Sequence, residues 1–140
     1  MESKLSLHIK NDLSELKKVA QSFSNFNKKH RLPLKVFNTV DLALDEILNN
    51  IISYGYDDNN AHVIDIHISV VDKGIIVEIK DDGRPFNPLS VVDADTKKTM
   101  DERPIGGLGL HLIRNMMDDV QYIYKDNKNC LTMKKQIMEI

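Results

Sequence analysis

The chain has 140 residues, of which 41% are hydrophobic and 29% charged, a balance that fits a globular protein with its own core and excludes pervasive disorder. A formal net charge of -2 offers no electrostatic reason to bind nucleic acid. The lone Cys130 excludes an internal disulfide and predicts a reducing, cytoplasmic setting; the apolar pattern from Met1 to Lys10 is too short for a secretory leader, and no run approaches the ~18 apolar residues that span a bilayer.

No proline-rich or glycine-serine linker interrupts the chain, so residues 1–140 are expected to form one domain. Leu5, Leu7 and Ile9 alternate with polar neighbours as in an edge strand. From Asn11 to Lys29, Leu13, Leu16, Val19, Ala20 and Phe23 recur at helical spacing, with Asp12 or Ser14 as a cap. A second helix is predicted from Lys35 to Tyr54, burying Val40, Leu44, Ile47, Leu48 and Ile51 and stopping at Gly55. Two alternating strands follow, one carrying Ile64, Ile66, Ile68 and Val70 and the other Ile75, Val77 and Ile79, joined by a hairpin turn at Asp72-Lys73-Gly74.

Beyond the second strand of that pair the pattern weakens. Asn87 to Ile105 is polar and reads as a long loop of the length that usually serves as a lid. A third helix is predicted from Leu108 to Asp119, burying Leu112, Ile113, Met116 and Met117, and a closing hairpin pairs Val120 to Lys125 with Cys130 to Lys134 around Asp126-Asn127-Lys128-Asn129. The elements predict an α+β two-layer sandwich, a mixed, mostly antiparallel sheet with about three helices on one face.

Three places carry candidate chemistry. On the second helix, Asn49, Asn50 and Ser53 fall within about 60° of Glu46 at helical spacing, on the face opposite the apolar stripe. Such a face is often only solvated, but asparagine is a poor mid-helix residue and two in succession are an unfavourable choice for a surface. An asparagine carbonyl suits Mg²⁺, which takes few protein ligands when phosphates complete its shell, and a glutamate one turn earlier can orient or deprotonate a hydroxyl.

The second place is Asp81-Asp82-Gly83, either a plain turn after a strand or a base-recognition site. A carboxylate there can accept a hydrogen bond from the exocyclic amine of adenine, where guanine presents a carbonyl, and Gly83 lets the backbone approach the ring. The third is Gly106-Gly107-Leu108-Gly109, which opens the third helix. Free N–H groups and the helix dipole make an anion site there, although a hinge or a packing role fits a glycine cluster equally well. No Gly-Lys-Ser/Thr follows, which excludes a Walker A loop.

In combination, Asp45-Glu46-Ile47-Leu48-Asn49-Asn50, Asp81-Asp82-Gly83-Arg84-Pro85-Phe86-Asn87-Pro88 and Arg103-Pro104-Ile105-Gly106-Gly107-Leu108-Gly109-Leu110-His111-Leu112-Ile113 resemble the N, G1 and G2 boxes of the GHKL ATPase superfamily. They look most like its bacterial anti-sigma factor serine/threonine kinase branch, and the resemblance runs from the first helix to the closing hairpin. It implies a Bergerat-type ATP-binding fold with an ATP lid at about residues 87–105. By position, it implies Asn50 as the Mg²⁺ ligand, Asp81 as the adenine acceptor, Gly83 in the base pocket, and Gly106, Gly107, Leu108 and Gly109 around the phosphates of ATP. Glu46 becomes the catalytic carboxylate. Arg84, Lys97, Lys98 and Arg103 either assist the phosphates or are merely solvated, and His111 receives no role.

The resemblance also implies partners: a STAS-type anti-anti-sigma protein as phosphoacceptor, a sigma factor or similar regulator held by the kinase, and a homodimer, with no direct contact to nucleic acid or membrane. The sequence shows no dimerisation helix pair with a phosphoacceptor histidine and no gyrase-type transducer domain, so a stand-alone domain that acts on other proteins is expected instead of a complete sensor kinase or a gyrase-type ATPase. The competing expectation is a module that binds a regulator in an ATP-dependent manner without transferring phosphate.

Overall fold

The computed structural model describes residues 4–88 and 113–137. Strand β1 (Lys4–Lys10) leads through a 3-10 turn (Leu13–Glu15) into helices α1 (Leu16–His30) and α2 (Leu34–Tyr54); strands β2 (Val63–Val71), β3 (Gly74–Asp81), β4 (Asp119–Lys125) and β5 (Lys128–Gln136) complete the described elements. The strands form one five-stranded sheet in the order β1-β2-β3-β5-β4. The α+β architecture is the expected one.

Every described pairing is antiparallel, so the sheet is not mixed among the described residues. The chain path accounts for this at β1 and β2. Two helices lie between these strands, and an up-and-down pair returns the chain to the end where β1 finished; a single helix would have given a parallel crossover.

The inward positions of the strands are apolar. Ile64, Ile66 and Ile68 of β2, Ile75, Val77 and Ile79 of β3, and Leu131 and Met133 of β5 are buried with Val19, Phe23 and Phe26 of α1 and Val40, Leu44, Ile47 and Leu48 of α2. The alternate positions carry polar pairs between neighbouring strands, such as His8 with Asp65 at 2.5 Å and Ser6 with His67 at 3.0 Å. Among the described residues no helix is long and apolar enough to cross a membrane.

Four local expectations are corrected. Helix α1 starts at Leu16, not Asn11, because the Asp12 carboxylate accepts the Ser14 N–H at 2.9 Å and closes a 3-10 turn that leaves Leu13 half exposed. Ala20 is exposed, and Ile51 is only partly buried. The predicted third helix is described only as residues 113–116 and ends before Asp118, whose backbone N–H bonds the Lys134 carbonyl at 2.9 Å; the chain is in β4 by Asp119. Its Ile113 and Met117 are buried, Met116 less so, while Leu112 lies outside the described residues. The closing turn contracts to Asp126-Asn127, with φ of 55° and 62°, the left-handed pair of a two-residue hairpin, so Lys128 and Asn129 belong to β5.

Candidate functional site

A cleft of about 470 Å³ opens between the C-terminal half of α2 and the sheet. Its walls are largely apolar: Ile47 and Ile51 come from α2, Ile79 from β3 and Leu131 from β5. Pro85 and Phe86, in the segment after β3, line it as well. This size and composition suit a small organic ligand.

Asp81, the last residue of β3, is the buried acid of this cleft, with 5% of its surface exposed. Its Oδ1 accepts the Gly83 N–H at 2.9 Å and the Asn129 amide at 3.1 Å. Oδ2 has no hydrogen-bond partner among the described residues. Burial pushes the carboxyl above the ordinary carboxylate range and the neighbouring Asp82 adds to this, while the donations from Gly83 and Asn129 work against it. The cleft thus contains one buried carboxyl with an oxygen that has no partner among the described residues, in largely apolar surroundings.

Asn50 lines the same cleft. Sequence periodicity set it opposite the apolar stripe, but it stands at the stripe's border, only half-buried, one turn after Glu46. Its Nδ2 is buried without a hydrogen-bond partner among the described residues, and among them its carbonyl Oδ1 accepts no hydrogen bond either. That donor suits a hard cation such as Mg²⁺. Glu46 is half-buried and is not among the residues lining the cleft, and Asn49 is exposed and accepts the Ser53 hydroxyl at 3.1 Å.

Gly83 is buried in the turn behind Asp81. Arg84 docks that turn against the end of α2: its backbone N–H bonds the Gly55 carbonyl at 2.8 Å, its guanidinium donates to the Tyr54 carbonyl, and the same group approaches Asp57 at 3.4 Å. Those contacts occupy the guanidinium in holding the loop. Gly106, Gly107, Leu108 and Gly109 lie outside the described residues, as do the predicted lid beyond Pro88 and Lys97, Lys98, Arg103 and His111.

Next to the turn, His62 bridges Asp58, at 2.8 Å, and Asp82, at 3.1 Å, and stacks on Tyr56 with ring centroids 4.4 Å apart. Hydrogen bonds to Asp58 and Asp82 raise the His62 pKa above its ordinary value. Burial, followed by the charges of Asp81, Asp82 and Asp58, pushes the Tyr56 hydroxyl far above the usual tyrosine range and keeps it neutral.

Sequence reasoning did not single out Asn129 or Tyr122, both of which line the cleft. Asn129 is 5% exposed and pairs with Asp81 across β3 and β5. Its signal lay in the alternation: counting back from Met133 and Leu131 places Asn129 on the inward face.

Comparison with known proteins follows the same outline. The family described as "Histidine kinase-like ATPase domain" matches residues 9–135. The chain is similar to the serine/threonine-protein kinase BtrW of Bordetella bronchiseptica, 28% identical over 95 residues that cover 68% of this chain and 67% of that protein. It is also similar to the serine-protein kinase RsbW of Staphylococcus aureus, 30% identical over 101 residues that cover 69% of this chain and 63% of that protein. The match thus spans about two thirds of the length of these relatives. Among solved structures, one of the RsbU and RsbW domains of Rv1364c from Mycobacterium tuberculosis superposes with a TM-score of 0.68 at 10% identity, covering 96% of this chain and 32% of that one, a likeness of fold.

Proposed function

This chain belongs to the histidine kinase-like ATPase domain family, and from that premise we propose that it binds ATP with Mg²⁺ and transfers the γ-phosphoryl group to a serine or threonine of a partner protein. The observation that carries the reading is Asp81: a buried carboxyl with one oxygen accepting two hydrogen bonds and the other without a partner among the described residues, set in an apolar cleft that Asn50 also lines. The free oxygen accepts the exocyclic amine of adenine, a group that guanine lacks at that position. The flat apolar walls cover the faces of the base.

Asn50 offers its carbonyl oxygen to the cation, and Glu46, one turn before it, orients the attacking hydroxyl and takes its proton. Gly106, Gly107, Leu108 and Gly109 border the phosphates in this reading. Bound with ATP, Mg²⁺ supplies neutralisation of the charge on the phosphoryl oxygens, so the protein's task is mainly positioning.

The partner we propose is a STAS-type anti-anti-sigma protein, with a sigma factor or similar regulator held in alternation by a homodimeric kinase in the cytoplasm. Support comes from the relatives named as serine and serine/threonine kinases and from the order of the three motifs along the chain, and we propose that residues 1–140 form one domain. A second reading, ATP-dependent regulator binding without phosphate transfer, draws on the position of Glu46 outside the cleft lining.

Calorimetric titration with ATP and GTP, each with and without Mg²⁺, tests the binding claim, and transfer of label from γ-labelled ATP to a purified STAS protein tests the kinase claim. Mg²⁺-dependent, ATP-selective binding with labelling of a serine or threonine is the expected result. Binding without labelling favours the second reading, and no ATP binding overturns both.

A further inference from the structure

Asn129 uses all of its hydrogen-bonding capacity within the protein. The two amide hydrogens on Nδ2 face three acceptors: the Arg84 carbonyl at 2.9 Å, Asp81 Oδ1 at 3.1 Å and the Gly83 carbonyl at 3.4 Å. Its Oδ1 accepts the Phe86 N–H at 3.0 Å and the Tyr122 hydroxyl. The backbone N–H of Phe86 can only donate and the carbonyls of Gly83 and Arg84 can only accept, so the amide has one allowed orientation. Nothing remains on this buried side chain to bind a ligand directly.

We infer that Asn129 is a positioning residue for base recognition, holding Oδ1 of Asp81 and the segment from Gly83 to Phe86 so that Asp81 Oδ2 is the oxygen left to receive an exocyclic amine. The inference rests on the nucleotide reading and deepens it. An apolar residue at 129 leaves two carbonyls and a carboxylate oxygen short of a donor in a site shielded from water, and lets the carboxylate turn. An ionised aspartate is worse, since it places a second carboxylate against Asp81.

The test uses N129A and N129D in the full chain, with thermal melting to establish that each folds. Loss of a donor to the charged form should raise the Asp81 titration in N129A above that of the wild type, read from its carboxyl ¹³C shift without nucleotide. ATP affinity of N129A should fall about tenfold, the equivalent of one hydrogen bond to a charged group. N129D, protonated at 129 at the acidic end, can still donate to Asp81, so its ATP affinity should drop about tenfold more than that of the wild type between about pH 5.5 and pH 8.5.

If N129A fails to fold, the two pH profiles decide. An Asp81 titration unchanged in N129A, or an N129D profile parallel to the wild type, overturns the inference. Wild-type protein that binds no ATP overturns the nucleotide reading and this inference with it; ATP bound equally by wild type and N129A overturns this inference alone.

Discussion

A Cβ placed on Gly83 would stand 2.6 Å from the carbonyl oxygen of Gly55, which already accepts the Arg84 N–H at 2.8 Å. The turn after β3 and the end of α2 therefore meet backbone to backbone, and the obstacle is a main-chain atom that cannot swing aside. The same Cβ would lie 2.9 Å from Asp81 Oδ1. Gly83→Ala should cost about 1–3 kcal/mol of stability, the usual penalty of overpacking, and weaken ATP binding by displacing Asp81. Denaturant unfolding and calorimetry check both; a variant as stable and as tight-binding as the parent would mean that the turn yields freely.

Asp81→Asn separates charge from shape. The new amide keeps an oxygen for Gly83 and Asn129 but presents N–H where the second carboxylate oxygen stood, so it confronts an adenine amine with another donor. ATP affinity should fall at least tenfold, about the loss of one charged hydrogen bond. Stability should move the other way. Because the folded pKa of Asp81 is raised, the folded state holds its proton longer and loses stability as pH rises through that range, a penalty the variant lacks. The melting temperature at neutral pH should thus equal or exceed the wild type.

Glu46→Gln should leave ATP affinity within about twofold, since Glu46 does not line the cleft, and reduce phosphoryl transfer by about 10²-fold or more, the usual contribution of a general base. Single-turnover transfer to a STAS acceptor is the measurement. A wild-type rate would remove Glu46 from the mechanism.

His62 gives the fold a pH signature. Its folded pKa is raised, so its contribution to stability is fully present below the unfolded value and is lost as pH rises through the raised one. Asp58 has the opposite sign: its folded pKa is lowered, chiefly by the His62 hydrogen bond, and its contribution is lost as pH falls through that lowered value. The melting temperature of the wild type relative to His62→Gln should therefore be highest between those limits and converge with that of the variant on the alkaline side. A constant difference across the range would mean that the imidazole acts by packing on Tyr56 alone.

Sequence reasoning reached what local pattern controls. The alternation in β2 and β3, the apolar stripe of α2 and the placing of Asp81 at a strand end were all legible, because each depends on neighbours a few residues away. Asn129 was not. Its partner Asp81 is 48 residues earlier, and only the β3–β5 register brings them together, so its surroundings of asparagine, aspartate and lysine read as a turn. Asn50 was expected opposite the apolar stripe but stands at its border: the end of the α2 stripe faces a cleft instead of packed sheet, so Asn50 lines it beside Ile47 and Ile51. The onset of α1 was missed because a side-chain bond from Asp12 competes with the helix.

Strand β5 lies between β3 and β4 although it is the last in chain order of the five described strands. Until residues 128–136 have left the ribosome, β3 has a bare edge, Asp81 lacks its amide partner and the cleft has no wall at Leu131. The Asp81 pocket is therefore completed only when β5 docks, and a chain shortened before β5 lacks both the Asn129 amide and the Leu131 wall. A ligand retained by the cleft then stabilises only chains that carry β5, while chains cut short before it are left to proteolysis.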